Sequence, residues 1–320
     1  MPYSETEAVS RRARHAPPVT GAALPRTRAR SRSCIAAEVV ALVCAALLSL
    51  SLHGAQMPVS FDDVLELESR APNETLRYGS EASHTAVLWV PPGQGVHPVV
   101  ILIHGGCWLA EYDMAYLYPL ASRLARDGYA VFTPEYRRVG EEGGGWPGTP
   151  ADLILAIDAL AALQHPRLAL DRTVVAGHSA GGHLALWLAA RDASLWRPPL
   201  KLVAALGLAA ITDLEAYARG TNSCEVATPL FMGGTPEERP REYAAASPHG
   251  LSYAVPLGLM VGGQDPIVPA SQAEALPAAR AYRLDGAGHF DWVHPDTEAF
   301  DALRDAIFDL LQSALRGEAE

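Results

Sequence analysis

The residues that could do chemistry begin with the pentapeptide Gly177-His178-Ser179-Ala180-Gly181. It follows an apolar run at 173–176 and precedes an apolar helical pattern, which is the strand–turn–helix setting of a G-x-S-x-G nucleophile elbow. A strained turn there pushes the serine hydroxyl outward, and glycine-sized neighbours let the strand and the helix pack closely. The sequence therefore predicts that Ser179 is a nucleophile.

A serine hydroxyl needs a base to take its proton, and the base needs a carboxylate to orient it. Asp265 follows the apolar run 257–261, and His289 follows the run 281–284, in the chain order serine, acid, histidine. We therefore predict a catalytic triad of Ser179, Asp265 and His289.

Other acids and histidines near these positions are weaker candidates: Asp213, Asp291, His294, His178 and His183. Only His289 has the glycine-flanked loop. Asp213 follows another predicted strand, where a carboxylate could substitute for Asp265, and His183 reads as a packing residue on the helix.

A second motif, His104-Gly105-Gly106-Cys107-Trp108, directly follows the apolar run 98–103. The tetrahedral intermediate of acyl transfer needs backbone N–H donors aimed at its oxyanion, and glycines let the backbone approach it. We predict an oxyanion hole formed by the N–H groups of Gly106, Cys107 and Ala180, with His104 as a structural loop residue. The alternative is that Gly105 and Gly106 form only a tight turn.

The elements that must position these residues alternate between strand and helix patterns. The predicted strands are 86–90, 98–103, 129–133, 173–176, 202–208, 257–261 and 281–284. The predicted helices are 116–127, 150–163, 181–190, 271–276 and 297–315. Strict alternation predicts an α/β fold with a mostly parallel sheet between helices, and catalytic loops at the carboxyl ends of its strands.

Together the motifs HGGCW, EYRR (135–138), GHSAGGHLALWLAAR (177–191), GGQDPIVP and GAGHF resemble the α/β-hydrolase superfamily, over roughly residues 75–315. Within it the chain resembles esterases with an HGG-type oxyanion loop, which include hormone-sensitive-lipase-like carboxylesterases. Cys107 and Trp108 replace the usual third glycine, and HGG-x-W is closer to the kynurenine formamidase and ferulate-esterase-like group. The resemblance implies an α/β-hydrolase fold and an acyl-enzyme on Ser179. The implied substrate is a small or medium carboxylic ester, with N-formylkynurenine as the alternative.

Two further classes are weaker alternatives. A serine peptidase of this fold would normally need a gating domain. A non-catalytic binding protein of this fold would usually lack a triad member, and all three candidates are present.

The stretch 212–254 is long enough for a small cap between two core strands. Trp108 and Trp146 are predicted pocket walls that would favour an aromatic or short acyl group, and the alternative is that both are core tryptophans. For Cys107 and Cys224 the sequence favours two buried thiols. A disulfide tying the cap to the oxyanion loop is the alternative.

Residues 1–56 differ from the rest of the chain. Seven arginines lie within 1–33, and the clean apolar run at 39–52 is shorter than the roughly 20 residues of a spanning helix. With Ala55 ahead of Gln56, this pattern favours a secretory signal peptide and a periplasmic or secreted protein. The alternatives are translation from Met57, which gives a cytoplasmic protein, and a retained anchor. Residues 57–320 are predicted to form a single domain.

Composition limits the partners. The chain has a net charge of −11, and because the leader is rich in arginine the residues beyond 53 are more acidic still. A folded body this acidic would repel a phosphate backbone, so nucleic acid is not expected. No H-E-x-x-H or C-x-x-C spacing and no phosphate-binding loop occur, so neither a metal nor a cofactor is expected. The expected partner is a small-molecule ester or amide, and the oligomeric state stays open.

Overall fold

The apolar runs of the sequence form one eight-stranded sheet in a computed structural model of the chain. The structure describes residues 57–191, 195–196 and 198–317, and the predicted leader at 1–56 lies outside them. The strands are β1 (Glu74–Arg77), β2 (Thr85–Trp89), β3 (His97–Ile103), β4 (Ala130–Pro134), β5 (Leu168–His178), β6 (Leu202–Leu208), β7 (Leu257–Gly262) and β8 (Arg280–Leu284).

The sheet order is β1-β2-β4-β3-β5-β6-β7-β8. β1 pairs antiparallel with β2, and β2 pairs antiparallel with β4, whereas every other neighbouring pair is parallel. The prediction of a mostly parallel sheet is therefore confirmed. β1 was not predicted, because its alternating half-buried and exposed residues give only a weak edge-strand pattern.

The helices are α1 (Phe61–Leu65), α2 (Tyr118–Arg126), α3 (Gly148–Ala162), α4 (Ala180–Ala189), α5 (Leu214–Tyr217), α6 (Ser223–Met232), α7 (Pro240–Ala246), α8 (Ser271–Glu274) and α9 (Glu298–Gly317). Short 3-10 turns occur at Met114–Leu117, Pro248–Gly250 and Asp291–Val293. No helix in the described ranges is both long and apolar enough to cross a membrane.

The core lies on both faces of the sheet, and β3 shows why. Its residues Val99–Ile103 are fully buried. Val99, Ile101 and Ile103 belong to one apolar cluster, whereas Val100 and Leu102 belong to the other. Successive side chains of a strand point to opposite faces, so a continuous apolar run indicates a strand covered on both sides.

Three short helices, α5, α6 and α7, lie between β6 and β7 and form the segment that we call the cap. The described residues, including the cap, form one compact unit. β3, β5, β7 and β8 each run toward one of the loops that carry the predicted site. Because these strands are parallel, those loops gather at the carboxyl edge of the sheet.

Candidate active site

The nucleophile elbow lies between β5 and α4, with Ser179 in a strained conformation. Its φ of 57° and ψ of −121° lie in a region that residues other than glycine rarely adopt. The turn is held by the Ser179 N–H, which donates to the Leu208 carbonyl at 2.8 Å. A Cβ at Gly177 would overlap the carbonyl oxygen of Gly181, so the close approach of strand and helix requires glycine there.

His289 and Asp265 form a buried pair beside this elbow. His289 Nδ1 lies 2.7 Å from Asp265 Oδ2, and their side chains are 4% and 2% exposed. Asp265 Oδ1 accepts the N–H groups of Ile267 and Val268, each at 2.8 Å, which fixes the carboxylate. Because the carboxylate accepts at Nδ1, Nε2 of the neutral ring is left free to take a proton.

Ser179 and His289 line one pocket, the place where a proton transfer between them would occur. Among the described residues, no hydrogen bond joins the Ser179 hydroxyl to His289. Catalytic hydrogen bonds are often long in a free enzyme and tighten when substrate binds.

Residues 104–108 after β3, which we call the oxyanion loop after its predicted role, turn through left-handed backbone conformations. Gly106 has φ 93° and Cys107 has φ 54°. In the part of the chain that the structure describes, the N–H groups of Gly106, Cys107 and Ala180 donate to no protein acceptor. Ala180 is also the first residue of α4, where a helix leaves its N–H groups free. The three predicted donors are therefore available to a substrate oxygen.

A chain of hydrogen bonds joins the oxyanion loop to residues 285–290 after β8, which carry His289 and which we call the histidine loop. Sequence reasoning did not foresee this chain. The Gly105 N–H donates to Tyr116 Oη at 2.7 Å, and Tyr116 Oη lies 2.9 Å from His178 Nδ1. His178 Nε2 lies 3.0 Å from the carbonyl oxygen of His289, which can only accept. His178 thus donates from Nε2 and accepts the Tyr116 hydroxyl at Nδ1.

Burial supports these roles for the two side chains. Burial, together with the nearby His289, lowers the pKa of His178 well below its usual value, so its ring is neutral. Burial raises the pKa of Tyr116, so its hydroxyl keeps the proton that it donates. His178 and Tyr116 are therefore positioning residues that connect three loops of the site.

The catalytic pocket, as we call the cavity at Ser179, has a volume of about 240 Å³. Gly106, Cys107, Ser179 and His289 line it together with four aromatic side chains: Phe61, Tyr112, Tyr116 and Phe290. The volume lies just below the ~300–1,000 Å³ of typical small-molecule sites. The space beside Ser179 is therefore large enough for a small group only.

The predicted pocket walls Trp108 and Trp146 do not line the catalytic pocket. Trp108 is fully buried, stacks on Phe231 at 4.6 Å and donates from Nε1 to His183. Trp146 packs edge-on against Trp187 at 5.4 Å. Trp108 is therefore a core tryptophan, as in the alternative interpretation, because a large apolar ring gains most free energy where it is fully covered. Trp146 is half-buried and packs against the apolar core.

The interpretation of Cys107 and Cys224 as free thiols is wrong. The two residues form a disulfide, with their Cα atoms 4.8 Å apart. It joins the oxyanion loop to the first turn of α6 and closes a loop with a sequence separation of 117 residues. Both cysteines line the catalytic pocket, so the bond ties the cap to the site.

The weaker candidates have other structural roles. Asp213 caps α5 by accepting the Ala216 N–H, and His294 Nδ1 accepts the Asp296 N–H. Asp291 holds the histidine loop, because its Oδ2 accepts the Gly288 N–H at 2.9 Å.

His104, predicted as a structural loop residue, is fully buried. It stacks on Tyr136 at 4.2 Å, and its Nε2 lies 2.7 Å from Glu135 Oε1. Within the described ranges, no three His, Cys, Asp or Glu side chains converge as metal ligands.

A mostly parallel sheet of this order, with an elbow after β5 and an acid and a histidine after β7 and β8, defines an α/β-hydrolase. The model of the family BD-FAE matches residues 88–279, more than half of the chain, and the chain belongs to that family. The match ends before His289.

Two Mycobacterium tuberculosis proteins are similar in sequence. "Putative acetyl-hydrolase LipR" is 29% identical over 251 residues, which cover 71% of this chain and 75% of that protein. "Esterase LipQ" is 29% identical over 199 residues, which cover 57% of this chain but only 45% of that protein. Esterase B from Lactobacillus rhamnosus HN001 has a similar fold, with a TM-score of 0.67 at 19% identity, covering 88% of this chain and 99% of that one.

Proposed function

We propose that this chain is a serine carboxylesterase that hydrolyses esters carrying a small neutral substituent. One observation carries the proposal. A strained Ser179 lines the same small pocket as His289, whose Nδ1 bonds to the fixed carboxylate of Asp265. The relatives named as an acetyl-hydrolase and an esterase support the same reaction. No observation on the described residues favours the N-formyl amide alternative.

The proposed mechanism has two half-reactions, acylation and deacylation of Ser179, and His289 transfers a proton in each. Ser179 Oγ attacks the ester carbonyl carbon as His289 Nε2 takes the hydroxyl proton, and Asp265 stabilises the imidazolium. The oxygen of the tetrahedral intermediate would lie against the free N–H groups of the oxyanion loop and Ala180.

The intermediate collapses when the bond to the leaving alcohol breaks, and His289 returns its proton to the alcohol. A water molecule then attacks the acyl-enzyme and gives its proton to His289. The bond to Ser179 breaks, the serine recovers its proton, and the carboxylic acid leaves.

Hydrolysis of p-nitrophenyl acetate by the full chain tests the proposal. Ser179→Ala should lower kcat by about 10⁴-fold or more without loss of the fold. Ser223→Ala is the matched control, since Ser223 also lines the catalytic pocket but lies outside the elbow. Near-wild-type activity in Ser179→Ala, or equal losses in both variants, would contradict the proposal.

We also propose that the chain works in an oxidising compartment, the periplasm or the extracellular space, after removal of the leader. The Cys107–Cys224 disulfide supports this, because such bonds persist mainly outside the cytosol. Intact-mass analysis with thiol counting under denaturing, non-reducing conditions is the test. We expect a mature chain starting near Gln56 with no free thiol. Two free thiols in a chain starting at Met57 would indicate the cytoplasmic alternative.

A further inference from the structure

A second cavity lies against the catalytic pocket, and three aromatic side chains are shared between the two. The neighbouring cavity, as we call it, has a volume of about 370 Å³. Phe61, Tyr112 and Tyr116 line both spaces. These three residues, which we call the partition, therefore lie between the two spaces, and the Phe61 ring contacts the other two rings edge-on at 5.7 Å.

Phe61 is the replaceable member of this partition. Tyr116 is fixed by its hydrogen bonds to Gly105 and His178, and the backbone of Tyr112 is fixed by Arg138 Nη1, which donates to its carbonyl at 2.6 Å. Among the described residues, the Phe61 ring is held only by apolar ring contacts, with Tyr112, Tyr116 and, at 5.4 Å, Phe290.

The position of Phe61 is nevertheless well determined. α1 begins with a capping box in which Ser60 and Asp63 bond reciprocally. The Val59 N–H donates at 3.0 Å to Asp291 Oδ2, the same oxygen that accepts the Gly288 N–H of the histidine loop. One carboxylate thus anchors both the segment that carries Phe61 and the loop that carries His289.

The neighbouring cavity offers apolar surface to a longer chain. Its apolar lining includes Val64, Leu65, Leu67, Tyr118 and Pro119. Its two acids, Glu111 and Asp113, are exposed, so their charges can remain hydrated. An alkyl chain that crossed the partition would therefore bury methylene groups, each of which can raise kcat/KM by about fourfold.

We propose that Phe61 determines substrate specificity by closing the end of the catalytic pocket, so that the enzyme accepts short, neutral ester substituents and rejects long alkyl chains. This inference rests on the proposed esterase function. Removal of the Phe61 ring joins the two spaces and admits a longer chain.

The test measures kcat/KM of the full chain on two series of esters. One series varies the acyl group from acetate to dodecanoate with p-nitrophenol as the constant leaving group. The other varies the alcohol from methyl to decyl with acetate as the constant acyl group. We expect the wild type to prefer the short members, and Phe61→Ala to raise the octanoate-to-acetate ratio, or its alcohol equivalent, at least tenfold. Burial of about two more methylene groups would give this change, since each raises kcat/KM by about fourfold.

Two further variants separate specificity from damage to the fold. Leu65→Ala is the matched control, because Leu65 lines only the neighbouring cavity and is exposed, and it should keep the wild-type profile. Phe61→Trp should shift both profiles toward the shortest substituents. A structural defect would not shift the profile in opposite directions for the smaller and the larger residue.

An unchanged profile in both Phe61 variants, with activity lowered uniformly or not at all, would overturn the inference while leaving the esterase proposal intact. A wild-type protein that hydrolyses no member of either series would overturn both.

Discussion

Replacing Asp265 with asparagine probes the triad through the tautomer of His289. In the structure Asp265 Oδ1 accepts two backbone N–H groups, each at 2.8 Å, while Oδ2 faces His289 Nδ1. The asparagine oxygen should take the Oδ1 position, because the opposite orientation would place an NH₂ group against two N–H donors. Each lost hydrogen bond would cost about 1–3 kcal/mol, so the opposite orientation is scarcely populated.

The NH₂ group of the introduced asparagine then faces His289 Nδ1 and donates to it. The ring proton must move to Nε2, the nitrogen that should accept the proton of Ser179. The base is lost although the packing is kept. A wrong tautomer of this kind lowers kcat by roughly 10⁴-fold, or about 5 kcal/mol of transition-state stabilisation.

The assay is steady-state hydrolysis of p-nitrophenyl acetate, with the melting temperature measured in parallel. Asp265→Asn should lose kcat with a nearly unchanged KM and melting temperature. Asp213→Asn is the control, because asparagine can still cap α5 and should keep wild-type kcat. A kcat for Asp265→Asn within tenfold of wild type would refute the assignment of the acid.

Three more predictions follow from the network, the disulfide and the buried histidines. His178→Asn loses the hydrogen bond to the His289 carbonyl and should lower kcat by roughly 5- to 100-fold at constant KM. The longer side chain in His178→Gln can still reach that oxygen, so this variant should retain more activity. Cys224→Ser opens the disulfide to Cys107 and should lower the free energy of unfolding by about 2–5 kcal/mol in urea titrations. Burial lowers the pKa of His183 to about 4, so the unfolded chain binds more protons between pH 4 and about 6.5. The contribution of His183 to the free energy of unfolding should therefore fall by about 3 kcal/mol as the pH drops through this window, and His183→Gln should reduce the slope by that amount.

Equal losses of kcat in the two His178 variants would show that the His289 carbonyl bond does not matter. A Cys224→Ser variant as stable as wild type would show that the disulfide constrains little. An unchanged pH slope in His183→Gln would show that His183 is not the group being titrated.

The parallel strands and the elbow were predictable because their signals are local. A strand covered on both faces has a continuous apolar run in its sequence, as β3 does. The tight packing at the elbow requires glycine at 177 and 181. The acid and the histidine were predictable from the rule that catalytic loops lie at the carboxyl ends of parallel strands.

The walls of the catalytic pocket were not predictable because they depend on contacts distant in sequence. Phe61 comes from a five-residue helix near the start of the described chain, and its contact Phe290 lies beyond the last strand. Trp108 adjoins the oxyanion loop in sequence, but the backbone turns its ring into the core. The Cys107–Cys224 bond depends on how the cap folds, which no local pattern determines.

Covalent labelling with a fluorophosphonate, followed by peptide mapping, tests the nucleophile most directly. We predict one adduct per chain on Ser179, no adduct in Ser179→Ala, and much slower labelling in His289→Ala, where the base is missing. Labelling of another residue, or an unchanged rate without His289, would contradict the proposal that Ser179 is a nucleophile activated by His289.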